Sequence, residues 1–244
     1  MLHTVIVQNP VIFDLIQKQI DAKRAPLSHI SCEVYAYGNI RIVGKFSGSA
    51  SDILSIMISE FNPDTVFFLS ESYPVSDEKF AGDIILPNVF FSHNPEMGTT
   101  DGAKQLDASQ ISSPVFLEHY PLQGDYNFDS FGLSVGGIHV SGNWDQGLED
   151  FRIQLRLAYE NDTFDSELYS FVHTAKTPSI LEKIYPIAYI ATENPHVTAK
   201  NLWSIVGFII GSIDSHLIFD ENIEEEGSEE AWIDGSEFAQ EDRI

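Results

Sequence analysis

The sequence predicts a single α/β domain, and three observations carry that expectation. Its 244 residues suit one large domain better than two. A content of 43% hydrophobic and 12% aromatic residues is ample for a buried core. Four short, apolar, β-rich segments each run into glycine or a carboxylate: Ala81–Pro87, Gly137–Asn143, Phe164–Leu168 and Ile187–Glu193. An α/β sheet presents chemical groups in this way, at the carboxyl ends of its strands.

The elements follow in order. Thr4–Gln8 reads as a buried strand and Pro10–Lys23 as a helix with Val11, Leu15 and Ile12 turned inward. Pro10 suits the first turn, where a missing N–H costs nothing. Glu33–Tyr37 and Ile40–Lys45 flank Gly38-Asn39, a good hairpin turn. Ser47-Gly48-Ser49 then breaks the pattern before a helix over Ala50–Phe61, closed by Asn62-Pro63-Asp64, and Thr65–Leu69 is a short apolar strand. This order is a βαβ unit, which calls for a parallel pair and a right-handed crossover. Ile84–Leu86 and Val89–Phe91 continue the strands. His93–Pro121 has no clear period and many breakers, as expected of an active-site cover or a subunit-contact loop. Leu133–Val140 reads as one strand interrupted by Gly136-Gly137, and Gln146–Tyr159 as a helix. A helix over Glu167–Lys176 opens on the capping residues Asp165-Ser166. Tyr185–Ala191 is the last core strand and Thr198–Ser212 the last core helix. The expected organisation is a domain over residues 1–219 and an acidic tail over 220–244.

Charge and composition exclude several functions. The net charge is −24, and twelve acids against the single base Arg243 fall between Asp214 and Ile244. Such a field repels phosphate backbones, so neither nucleic acid nor an anionic membrane is expected as a partner. Cys32 is the only cysteine, which rules out an internal disulfide and a multi-thiolate metal site and fits a reducing cytoplasm. Met1–Val7 has no Lys/Arg-bearing stretch and reads as a strand rather than a signal peptide. The apolar run Leu202–Ile213 falls short of the roughly 20 residues that cross a bilayer. Gly44-Lys45 lacks the other parts of a phosphate-binding loop, and no G-x-S-x-G or H-E-x-x-H motif occurs. His93, His139 and His173 read as packed or surface residues, so no metal and no cofactor is expected. Asn161-Asp162-Thr163 fits a glycosylation pattern, but without a secretory signal it carries no weight.

In this order the four segments resemble the purine nucleoside phosphorylase and nucleosidase superfamily. The likeness is greatest to its compact nucleosidase branch, which cleaves methylthioadenosine and adenosylhomocysteine. The resemblance implies a three-layer sandwich, a mixed, mostly parallel twisted sheet flanked by helices, and a homo-oligomer, most simply a dimer. Glu167 matches the glutamate of a Met-Glu motif that binds ribose hydroxyls, with Ser166 in place of Met and Asp165 in place of a second acid. Glu193 takes the place of the aspartate of a Ser-Asp motif that serves the purine N7, and Thr192 that of the serine. Ser141-Gly142-Asn143-Trp144 resembles a segment that contacts the base through its backbone and stacks an aromatic ring on it. Gly48 matches a glycine loop that approaches phosphate or the attacking water, and Gly82-Asp83 an architectural pair. Each also has a plain structural reading. A first-turn Glu167 is at ease on the helix dipole, Glu193 can be a solvated acid before the Asn194-Pro195 turn, and Trp144 can be core.

The departures narrow the chemistry. A glycine-rich loop of the family corresponds to Leu69–Pro74, which puts side chains where backbone should meet ligand. Gln8-Asn9-Pro10 stands where phosphorylases have glycine and nucleosidases a nearby glutamate base, and Asp14 is the nearest acid. No arginine occupies a phosphate-binding position, and Glu71 would repel the anion, which disfavours phosphorolysis. Cleaving an N-glycosidic bond builds positive charge on the ribose and negative charge on the leaving base. A protein helps by fixing the hydroxyls, supplying an acid and positioning water. The expected protein is therefore a hydrolase of a purine nucleoside. Glu193 and Asp14 would be catalytic, with Glu167, Trp144, Ser141, Gly48 and Thr192 on the substrate. The alternative is a catalytically silent relative that uses the scaffold as an oligomeric binding or assembly module.

Overall fold

The computed structural model describes residues 1–25, 32–93, 111–112, 124–128, 131–142, 148–176 and 178–213. Trp144, the acidic tail and most of the expected cover over His93–Pro121 lie outside the described residues.

The chain opens with β1 (His3–Val7), α1 (Pro10–Gln19), β2 (Lys23–Arg24), β3 (Glu33–Tyr37), β4 (Ile40–Gly44), α2 (Ala50–Phe61) and β5 (Thr65–Glu71). Then come β6 (Tyr73–Pro74), β7 (Ile84–Leu86), β8 (Val89–His93), β9 (Ile111–Ser112), β10 (Gly124–Phe128), β11 (Phe131–Val135) and β12 (Ile138–Gly142). The remainder is α3 (Leu148–Tyr159), β13 (Thr163–Asp165), α4 (Leu168–Thr174), α5 (Pro178–Leu181), β14 (Ile184–Tyr189) and α6 (Pro195–Ile213).

Local signals fix the helix starts. Asn9 caps α1, its Oδ1 accepting from the N–H groups of Val11 (2.8 Å) and Ile12 (3.2 Å), and Pro10 fills the first turn. Ser49 and Asp52 form a reciprocal capping box on α2, which ends at Asn62 in the left-handed region, φ 41°, just before Pro63. The phase of α1 differs from expectation. Ile12, Phe13 and Ile16 are buried, while Val11 is 53% exposed. The helix turns the Phe13 ring inward, where its edge meets Tyr35, and packs on α6.

Two sheets carry the fold. The larger has nine strands in the order β10-β11-β7-β14-β5-β1-β4-β3-β2, and the smaller five in the order β6-β13-β12-β8-β9. The pairings β4-β1, β1-β5, β5-β14, β7-β11, β13-β12 and β12-β8 are parallel, while β14-β7, β10-β11 and the β3–β4 hairpin around Gly38-Asn39 are antiparallel. The α2 crossover from β4 to β5 skips a place, because β1 pairs with both. Leu133–Val140, expected as one strand, is two. Gly136 and Gly137 take φ values of 94° and 124°, which carry the chain from β11 in the larger sheet to β12 in the smaller. Asn88 stitches this crossing, its Oδ1 accepting from Gly137 N–H at 2.9 Å.

The main core lies between the larger sheet and α1, α2, α4 and α6, with Phe68 stacked on Phe171 at 4.6 Å. Each such fully buried large side chain contributes about 1.5–3 kcal/mol. A second cluster, Val75, Val140, Phe151, Leu155, Tyr159 and Phe164, seats α3 on the smaller sheet. Asn161 is buried there, its amide donating to Thr163 O at 2.9 Å, so the glycosylation-like triplet is structural. Among the described residues no helix is long and apolar enough to cross a membrane.

Candidate functional site

Parallel pairing brings the carboxyl ends of β1, β5 and β14 side by side, with Val7 opposite Leu69 and Glu71 opposite Tyr189. The residues that follow these ends therefore meet. Gln8 Oε1 accepts from Glu71 N–H at 3.0 Å and lies 2.9 Å from the Ser70 hydroxyl. Asn9, next along the chain, donates from Nδ2 to Glu71 Oε2. Because Asn9 Oδ1 is taken by the α1 cap, only its NH2 can face the carboxylate.

The smaller sheet contributes a sealed polar knot. Asp165, at the end of β13, is fully buried. Its Oδ1 accepts from His139 Nε2 (2.9 Å), Ser141 Oγ (2.6 Å) and the N–H groups of Glu167 and Leu168 (both 3.0 Å). Its Oδ2 meets the Ser70 hydroxyl. His139 Nδ1 meets Thr163 Oγ1 at 2.8 Å, and Ser141 Oγ accepts from Tyr169 N–H at 2.8 Å. Burial alone would raise the Asp165 pKa. The His139 ring and the two serine hydroxyls outweigh it and hold the carboxyl below its ordinary value.

Asp165 thereby fixes the backbone of Glu167, the residue that enters α4. The Glu167 carboxylate reaches across 117 positions of sequence and accepts from Ala50 N–H at 3.1 Å. It is half-buried, and burial raises its pKa; the Ala50 N–H opposes the rise, and the Asp165 charge adds to it. Ala50 opens α2, directly after Ser47-Gly48-Ser49, where Gly48 takes φ 118°. A helix N-terminus is a ready anion site. Here two carboxylates of the chain itself, Asp52 and Glu167, already use its donors.

The other sequence-indicated residues are spread more widely. Thr192 is tied into the α6 entry, its N–H donating to Thr198 Oγ1 (3.1 Å) and its hydroxyl to Asn194 O (2.7 Å). Glu193 follows it, exposed, four residues beyond Tyr189. Asp14 lies on α1 and pairs with Lys45 Nζ at 2.6 Å. Asp83 has an architectural part, its carboxylate accepting from Phe80 N–H (2.8 Å) and Gly132 N–H (3.1 Å). Glu71, expected only to repel an anion, is instead a held carboxylate at the centre of the strand ends. The signal that could have found it is the adjacency of β1 and β5. Among the described residues no group of three His, Cys, Asp or Glu is arranged to hold a metal. A cavity of about 210 Å³ lined by Ile58, Asn62, Pro63, Val66, Ile180 and Lys183 opens at the opposite, amino-terminal end of β5.

Two parallel-centred sheets with acids gathered at their carboxyl ends have close counterparts among solved structures. A mutant 5'-methylthioadenosine nucleosidase of Helicobacter pylori, with 5'-methylthioadenosine in its active site, superposes with TM-score 0.62 at 13% identity, over 85% of this chain and 98% of that one. The chain has the nucleoside phosphorylase/nucleosidase fold. Futalosine hydrolase of H. pylori matches with TM-score 0.60 at 14% identity, over 85% and 98% of the two chains. The 5'-methylthioadenosine/S-adenosyl homocysteine nucleosidase of Campylobacter jejuni matches with TM-score 0.60 at 13% identity, over 86% and 97%. No protein-family model and no curated protein matches the sequence. In this nucleosidase fold, Glu167, Ser141 and Gly48 share one neighbourhood through Asp165 and Ala50, while Asp14 is engaged elsewhere.

Proposed function

We propose that the chain is a nucleosidase-like hydrolase that cleaves the N-glycosidic bond of a purine nucleoside. The observation that carries this reading is the half-buried Glu167 carboxylate, held beside the Gly48 turn by Ala50 N–H and anchored from behind by Asp165. A carboxylate so placed suits vicinal ribose hydroxyls, which donate to it and offset its burial. Ser141 supports the same corner from β12. Glu193, with Thr192 before it, would serve the departing base from the end of β14, and Trp144 would cover it. Methylthioadenosine, adenosylhomocysteine or a similar riboside is the substrate class that the structural neighbours suggest. The acids at the α2 N-terminus favour hydrolysis over phosphorolysis, since an incoming phosphate would meet two negative charges.

The test is free-base release from methylthioadenosine, adenosylhomocysteine, adenosine, inosine and futalosine. Release that falls at least a hundredfold in Glu167→Gln supports the reading. No release, or equal release by both proteins, overturns it.

A second reading has its own observation. Where a glycine loop would admit ligand, β5 runs on through Glu71, and Tyr73-Pro74 pairs with β13. A chain whose ligand loop has become strand could serve as an oligomeric binding module, and a dimer is the assembly proposed for it. A thermal-shift panel of purines and nucleosides tests for a surviving pocket, since a ligand that binds only the native state raises its melting temperature; binding without base release favours this second reading.

A further inference from the structure

The nucleosidase reading leaves open which group activates water, and the inference drawn here rests on that reading. We propose that Glu71 takes the proton from the attacking water, with Asn9 and Tyr189 as its positioning residues.

Elimination among the acids leads to it. Asp14 is neutralised by Lys45 at 2.6 Å. Asp165 is sealed, with both oxygens engaged. Glu167 holds the α2 N-terminus, and Glu193 is exposed. Glu71 is half-buried, with Oε2 held by Asn9 and the Tyr189 hydroxyl beside its carboxylate. Its backbone is pinned by Gln8 Oε1 at 3.0 Å. A base needs this combination: fixed direction and partial desolvation.

Tyr189 supplies an independent observation. It is 1% exposed, and its hydroxyl lies beside the Glu71 carboxylate. A buried phenol placed beside a carboxylate fixes the direction in which that carboxylate can act. Burial, with Glu71 adjacent, pushes the phenol far above its ordinary pKa and keeps it a donor. A continuous chain of contacts then runs from the Glu71 N–H through Gln8, Ser70 and Asp165 to the Glu167 N–H. Water-activating and ribose-binding carboxylates thus spring from one polar framework.

In the step, the water oxygen bonds to the anomeric carbon and its proton passes to Glu71. The glycosidic C–N bond breaks, its electron pair leaves on the purine, and the purine takes a proton from Glu193 or solvent. Glu71 returns its proton to solvent, so the net change is addition of one water.

The experiment measures base release from the same five nucleosides by wild type, Glu71→Gln, Tyr189→Phe, and Glu71→Ala with and without formate. Glu71→Gln should lower kcat by about a hundredfold or more with KM little changed, the span expected for a lost general base. Formate should restore part of the activity of Glu71→Ala, which a merely structural role would not allow. Tyr189→Phe should lower kcat and leave KM in place. If Glu71→Gln fails to fold, Glu71→Asp replaces it; withdrawing the carboxylate by about 1 Å should still cost on the order of a hundredfold. An active wild type with Glu71 variants as fast as itself overturns the assignment and leaves the nucleosidase reading standing. A wild type that releases no base overturns both.

Discussion

His139 Nε2 lies 2.9 Å from Asp165 Oδ1, and neither side chain reaches solvent. Asp165→Asn would keep one acceptor and turn an NH2 group on donors that need a partner. Breaking a buried pair from one side costs about 3–5 kcal/mol, so Asp165→Asn should lose roughly that much in urea unfolding. Because the folded-state value of Asp165 is depressed, its contribution is present above the unfolded value of about 3.9 and disappears only as pH falls through the lower folded value. The wild-type advantage over Asp165→Asn should therefore persist at pH 4 and shrink below it.

Glu167 has the opposite sign. Its folded-state value is raised, chiefly by burial, so its favourable contribution is full below the ordinary carboxylate range and lost as pH rises through the folded value. At pH 7 the buried charge is a burden. Glu167→Gln should melt at a higher temperature than wild type at pH 7, and the gap should close by pH 4, while base release falls. A variant that is more stable yet inactive is the signature of a strained functional group.

Gly142 marks a close approach between strands. A Cβ there would stand 2.3 Å from the His93 carbonyl oxygen, which is backbone and cannot swing aside. Gly142→Ala should destabilise by about 1–3 kcal/mol through overpacking at the β8–β12 seam. Chemical denaturation checks the size of the loss. A neutral substitution would mean that these strands separate readily.

Asp14 offers a control for the choice of base. As the surface partner of Lys45, it should add little to stability, and Asp14→Asn should release base at the wild-type rate. A hundredfold loss in kcat would make Asp14 the base instead of Glu71.

Much of this fold was legible because its signals are local. The Ala50–Phe61 helix announces itself by Ser49, Asp52 and Asn62, and the β3–β4 hairpin by Gly38-Asn39. Leu133–Val140 misled because alternation alone cannot tell which sheet a strand joins; the two left-handed glycines decide that. Val11 misled because the helix phase answers to neighbours such as Tyr35 and to α6, which are remote in sequence. In the candidate site, Glu167 could be read from its place after a strand. The Asn9–Glu71 contact could not, since its partners are 62 positions apart and only strand order makes them adjacent. Nor could the burial of His139 against Asp165, which depends on β12 lying beside β13.

The Asp165 knot grips Ser70 from the nine-stranded sheet together with His139 and Ser141 from the five-stranded one. Prising the two sheets apart would take from a buried, ionised group the one donor, the Ser70 hydroxyl, that reaches it from the other sheet. That hydroxyl therefore rivets the two β layers together at the very corner from which Glu167 departs.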